Sequence, residues 1–184
     1  SILGEDLKTI ASEKAGIIKQ NIPVVIGETQ HETENVFKNK AEENNSEIYF
    51  ADQMIHDVLE SALKGTYQLK NIKTVMQSVE VLRKSGFRIT ETHLKNGLLN
   101  VVKNTGLQGR WQILSAIPKI ICDTAHNKEG LTYIFDQIEK ESFNQLHIVF
   151  GVVNDKDLNS IISLLPKSAT YYFCKPNVQR GLDQ

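Results

Sequence analysis

Between residues 120 and 131 the sequence reads IICDTAHNKEGL: an apolar run enters Asp123, then Ala125-His126-Asn127, then a helix-like stretch. An acid, an imidazole and an amide within five residues can hold a hydroxyl, orient a cation or bind a polar ligand. Strand-to-helix junctions on the carboxyl edge of a parallel sheet are where α/β proteins place ligands, and the N–H groups opening the following helix attract anions. Capping accounts for the same residues differently. Asp and Asn are favoured N-caps, and a histidine can pack under a loop. The motif alone leaves both readings open. Arg110 stands thirteen residues upstream of Asp123, and GVVNDKD (151–157) places Asp155, Lys156 and Asp157 after the next strand-like run. Charge on three successive connections along one edge exceeds what capping needs, although a solvated loop also accounts for residues 155–157. Near the start, SEKAGI (12–17) sets Glu13 and Lys14 in the last turn of a helix pattern. A lysine there complements the helix dipole and needs no further purpose.

The elements that must position these residues alternate. Leu7, Ile10 and Ala11 predict a helix that Gly16 stops at its C′ position. IPVVIG (22–27) predicts a buried parallel strand, residues 30–44 an amphipathic helix, and EIYFAD (47–52) a second strand. Ile72, Val75, Met76, Val79 and Leu82 recur at helical spacing over 68–83, and Thr90 predicts the cap of a helix over 91–102. KNTGLQG (103–109) reads as a linker. Beyond it, WQILS (111–115) and KIICD (119–123) predict strands joined by a tight turn at Pro118. A helix over 127–141 with Leu131, Ile134, Phe135 and Ile138 inward follows, then a strand LHIVFGV (146–152), a helix over 155–165 and a strand TYYFC (170–174). This alternation predicts an α/β fold of parallel-sheet βαβ units with helices on both faces.

Composition narrows the function. The 184 residues allow one large or two small domains, and 40% apolar with 23% charged residues describe an ordinary globular protein. A formal net charge of −1 with no basic block argues against nucleic acid or an anionic membrane as partner. The apolar runs fall far short of the roughly 20 residues that span a bilayer. Cys122 sits in a strand pattern and reads as a small buried hydrophobe, so a cytoplasmic location is expected. The absence of an opening Met and the abrupt stop at RGLDQ are read as signs of a longer protein.

LGEDLKTIASEKAGIIKQNIPVVIG, GTYQLKNIKTV (65–75), GRWQILS with IICDTAHNKEG, and GVVNDKD occur together in the order and approximate spacing of one family. The chain resembles the folylpolyglutamate synthase/dihydrofolate synthase family of the Mur ligase superfamily, in its carboxyl-terminal half. The resemblance implies the end of a P-loop-type ATPase domain (1–105, phosphate loop missing) followed by a Rossmann-like glutamate-ligase domain (106–184). It implies ATP and Mg2+, and an acyl phosphate that the amino group of L-glutamate attacks. The other substrate would be folate or dihydropteroate, and the full-length enzyme a cytoplasmic monomer.

Residue by residue, the resemblance matches Lys14 to a lysine that is carbamylated to bind metal, and Asn71 to an adenine contact. It matches Arg110 and Asp123 to groups that reach the phosphates and ribose of ATP. His126 matches a histidine lying against the nucleotide, Asn127 completes that motif, and Lys156 and Asp157 lie on the glutamate side. Thr124, Lys128 and Gln108 depart from the usual family residues. Two other readings stay open: a Mur-type amino-acid ligase of cell-wall synthesis, and a non-catalytic nucleotide-binding module of the same fold.

Overall fold

The computed structural model describes residues 6–153, 161–175 and 177. The chain folds as two units. One runs to Ala62 and resumes over Tyr67–Gly106; the other takes Leu63–Thr66 and the chain from Leu107 onward.

In the first unit, α1 (Leu7–Ala15) starts at Asp6, whose carboxylate accepts the Thr9 N–H at 2.9 Å and the Thr9 hydroxyl at 2.8 Å. Gly16 does not adopt the left-handed stop expected of it. Its φ and ψ are −57° and −18°, and the chain winds on as the N–H groups of Gly16, Ile17 and Ile18 donate to the carbonyls of Glu13, Lys14 and Ala15. Strands β1 (Val24–Ile26) and β2 (Ile48–Phe50) pair in parallel, with α2 (Glu34–Glu43) between them. This is the βαβ unit that the alternation predicts. The second strand is shorter than expected, because Ala51 and Asp52 open a four-residue helix, α3 (Ala51–Met54).

The long helix α4 (Gln68–Lys84) and α5 (Glu91–Leu99) share a core of Ile72, Leu94 and Leu98, with Met76 and Val79 packed against it. Of the apolar residues that recur at helical spacing, Val75 and Leu82 lie exposed, while Gln77 and Val81 are buried. The buried line therefore runs through 68, 72, 77 and 81. Thr90 caps α5: its hydroxyl accepts the His93 N–H, and the His93 ring accepts the Thr90 N–H. The helix expected to reach 102 breaks at Asn100 (φ −111°, ψ 14°). A short α6 (Val101–Thr105) then takes residues 103–105, which the sequence reads as linker, and ends at left-handed Gly106.

The second unit contains β3 (Gln112–Ala116), β4 (Lys119–Cys122), α7 (Lys128–Ile138), β5 (His147–Phe150) and β6 (Thr170–Phe173). Strands β5 and β6 pair in parallel, whereas β3 and β4 form an antiparallel hairpin with an irregularity between Ile113 and Ser115. Leu131 and Phe135 of α7 pack with Ile161, and Ala125, Ile148 and Phe150 close on them. No helix among the described residues is long and apolar enough to cross a membrane.

Candidate functional site

The hairpin explains how Arg110 comes to lie beside the D-T-A-H-N junction. Its register sets Gln112 opposite Cys122, so one step further Trp111 meets Asp123 and the Gly109–Arg110 segment meets Thr124. The sequence reading placed Asp123 at the carboxyl edge of a central parallel strand. Among the described residues β4 instead pairs antiparallel with β3, and the junction sits at the open end of that hairpin. Antiparallel pairing brings residues far apart in sequence into direct opposition.

Each polar group at this end has a defined task. The Asp123 Oδ2 accepts the Trp111 N–H at 2.6 Å and Oδ1 accepts the Ala125 N–H at 2.9 Å. Asp123 therefore does not cap α7; it holds both approaches to the junction. Trp111 has φ of +48°, a left-handed conformation that costs a bulky residue roughly 1–2 kcal/mol. Burial of its indole, 3% exposed, and the bond to Asp123 hold it there.

Asn127 is the cap, its Oδ1 accepting the Gly130 N–H at 2.9 Å. Between these two, Ala125 packs into the core of the unit while Thr124 and His126 are exposed. The Nδ1 of His126 lies 3.0 Å from the Thr124 carbonyl. A carbonyl only accepts, so Nδ1 is the donor and the neutral ring keeps Nε2 as an acceptor. The exposed Arg110 donates from Nη1 to the Gly109 carbonyl at 3.2 Å and to the Thr124 hydroxyl. Arg110, Asp123, His126 and Asn127 are thus gathered at one end of one hairpin. Thr124, which no sequence argument singled out as functional, is the residue that touches Arg110.

Two other expected residues, Lys14 and Asn71, lie in the first unit. Lys14 is exposed in the last turn of α1, and Asn71 is exposed in the first turn of α4, donating to the Gln68 side chain at 2.9 Å. At the carboxyl ends of β1 and β2 stands a polar group that the sequence reading missed. The Asp52 carboxylate accepts the Thr29 N–H at 2.9 Å and the Thr29 hydroxyl at 2.8 Å, and Lys70 pairs with Glu28 at 2.9 Å. A signal was present: the register aligns Ile26 with Phe50, and Thr29 and Asp52 follow those strand ends closely. Burial works to raise the pKa of Asp52, but the Thr29 hydrogen bonds outweigh it and hold the carboxyl below its ordinary value.

Lys156 and Asp157, with Asp155, lie outside the described residues. Among the described residues no three His, Cys, Asp or Glu side chains gather into a group that could hold a metal.

Residues 109–184 match the family model of the Mur ligase, glutamate ligase domain. The chain is 27% identical over 189 residues to the dihydrofolate synthase/folylpolyglutamate synthase of Bacillus subtilis, covering 90% of this chain and 43% of that protein. It is 31% identical over 187 residues to the probable dihydrofolate synthetase of Schizosaccharomyces pombe, covering 90% of this chain and 44% of that one. Along nine-tenths of its length the chain is similar to dihydrofolate and folylpolyglutamate synthases. It spans under half the length of these curated relatives. The same fold occurs in a Mycobacterium tuberculosis folylpolyglutamate synthase complexed with ADP, with a TM-score of 0.82 at 22% identity, covering 98% of this chain and 45% of that one. It recurs in a folylpolyglutamate synthase solved with AMPPCP and folate, with a TM-score of 0.81 at 24% identity, covering 99% and 49%.

Proposed function

We propose that the whole protein is an ATP-dependent ligase joining L-glutamate to a folate or dihydropteroate carboxylate through an acyl phosphate. The observation that carries this reading is the hairpin end where Arg110, held to Thr124, lies beside the Asp123–Asn127 junction, inside the segment that matches the glutamate ligase domain. Phosphoryl transfer asks for positive charge held in place more than for covalent help. Arg110 supplies a planar, permanently charged donor to the phosphates. Asp123, acceptor-only when ionised, shapes the approach to the junction and faces the ribose hydroxyls. His126 lies against the nucleotide, with Asn127 ordering the helix start beneath it, and Asn71 contacts the adenine. Lys156 and Asp157 serve the glutamate side. ADP and AMPPCP in the solved relatives support ATP as the co-substrate.

The test is ADP release by the intact protein supplied with ATP, magnesium, glutamate and either folate or dihydropteroate. Turnover that requires glutamate and one of these pterins is the expected result. Turnover only with a cell-wall peptide precursor would point to the other Mur-type chemistry, and nucleotide binding without turnover to a non-catalytic module.

In the same reading Lys14 carries a carbamate, formed when its amine adds to carbon dioxide. Carbon-13 NMR of the intact protein in labelled bicarbonate should show a carbamate signal that Lys14→Ala removes. A spectrum without that signal in active protein would remove Lys14 from the site.

A further inference from the structure

We infer that Thr124 is a positioning residue for Arg110, and that its hydroxyl sets the direction in which the guanidinium is presented to the phosphates; this rests on the ligase reading above. The Thr124 N–H donates to the Gly109 carbonyl at 3.0 Å and its hydroxyl donates to the same oxygen at 3.1 Å. With its one hydrogen committed there, Oγ1 turns its lone pairs outward, and Arg110 Nη1 donates to it while also reaching the Gly109 carbonyl at 3.2 Å. Arg110, Thr124 and Gly109 thus close a small ring of hydrogen bonds. An exposed arginine otherwise samples many rotamers, and ordering it during the reaction costs rate. The Thr124 methyl completes the arrangement, its carbon standing 2.5 Å from where a Cβ on Gly109 would be. Only glycine at 109 lets the carbonyl and the threonine come this close.

The substitution that isolates the hydroxyl is Thr124→Val, which keeps the branched shape, with Thr124→Ser as the conservative partner that keeps the hydroxyl. The first readout does not depend on turnover: NMR of the Arg110 guanidinium in the intact protein. In the native protein and in Thr124→Ser, rotation about the terminal C–N bond should be slowed and the Nη protons distinct. In Thr124→Val they should merge. The second readout is kinetic: kcat/KM for ATP should fall about ten-fold in Thr124→Val and stay within about two-fold in Thr124→Ser. Adding Thr124→Val to Arg110→Ala should cost nothing further, the non-additivity expected of two groups acting through one contact. Guanidinium signals unchanged by Thr124→Val, or kinetic losses that simply multiply, would overturn the assignment. A native protein without ligase turnover would sink the ligase reading, while the guanidinium spectrum would still decide whether Thr124 holds Arg110.

Discussion

Arg110 and Gly109 are adjacent, yet their substitution should fail in opposite ways. The guanidinium is exposed and its partners are a neighbouring carbonyl and a surface hydroxyl, so Arg110→Ala removes little that the fold needs. Turnover should drop by orders of magnitude while the melting temperature moves by only a few degrees, as when the lost contact forms mainly in the transition state. Loss of folding would make Arg110 structural instead. Gly109→Ala should damage the fold. Gly106 and Gly109 both have φ of +68°, but a Cβ on Gly106 meets nothing within 4 Å, whereas one on Gly109 meets the Thr124 methyl at 2.5 Å. Gly106→Ala should therefore cost roughly 1 kcal/mol of backbone strain and Gly109→Ala clearly more, up to about 3 kcal/mol, by denaturant midpoint. At this scale the sequence was informative about residue types: Arg110 and the D-T-A-H-N run are visible without a structure. Thr124 was not, because its importance lies in a cross-strand neighbour that depends on the pairing.

At the scale of elements, most strands and helices were legible, since apolar periodicity and caps such as Thr90 are local signals. The misreadings came where tertiary contacts chose between locally equal options. The break at Asn100 falls three residues beyond the pattern's one glycine, Gly97, which lies inside α5, so no glycine or proline marks the break itself. The tight turn at Pro118 was legible, but the alternation of strands and helices suggested a central strand of a parallel sheet at 119–123, where among the described residues β4 pairs only antiparallel with β3. The Thr29–Asp52 link that joins the ends of β1 and β2 makes a pH-dependent prediction. Replacing Asp52 by Asn should cost roughly 1 kcal/mol at neutral pH. Because the folded carboxyl titrates below its ordinary 3.8, its contribution is complete above the unfolded value. It is lost as pH falls through the folded one. Urea unfolding of the native and Asp52→Asn proteins should therefore differ at pH 7 and converge in acid. A gap that persists well below pH 3.8 would assign the stability to something other than the charge.

For the whole molecule, the sequence reading cut the chain once, within 103–109, because composition changes there. The four residues Leu63–Thr66 belong to the second unit all the same. Their attachment is Gln137 of α7, 9% exposed, whose Oε1 accepts the Thr66 N–H at 2.7 Å and whose Nε2 donates to the Lys64 carbonyl at 3.2 Å. Nothing in a four-residue stretch of ordinary composition announces such a contact. Gln137→Leu would leave that backbone donor and acceptor without these partners, and should cost roughly 1–3 kcal/mol. Hydrogen exchange at the Thr66 amide should speed up accordingly; unchanged protection would show that the bond to Gln137 carries no weight.

The same clasp orders events in time. Thr66 and Lys64 leave the ribosome 71 and 73 residues ahead of the glutamine that receives them. Synthesis proceeds at about 5–20 residues per second and domains tend to fold as they emerge. For several seconds, then, the chain around 63–66 waits while α4 and α5 are made and assembled on either side of the hydrophobic contact between them. Slowing translation across residues 107–137 would lengthen the interval in which a protease finds that stretch unclasped.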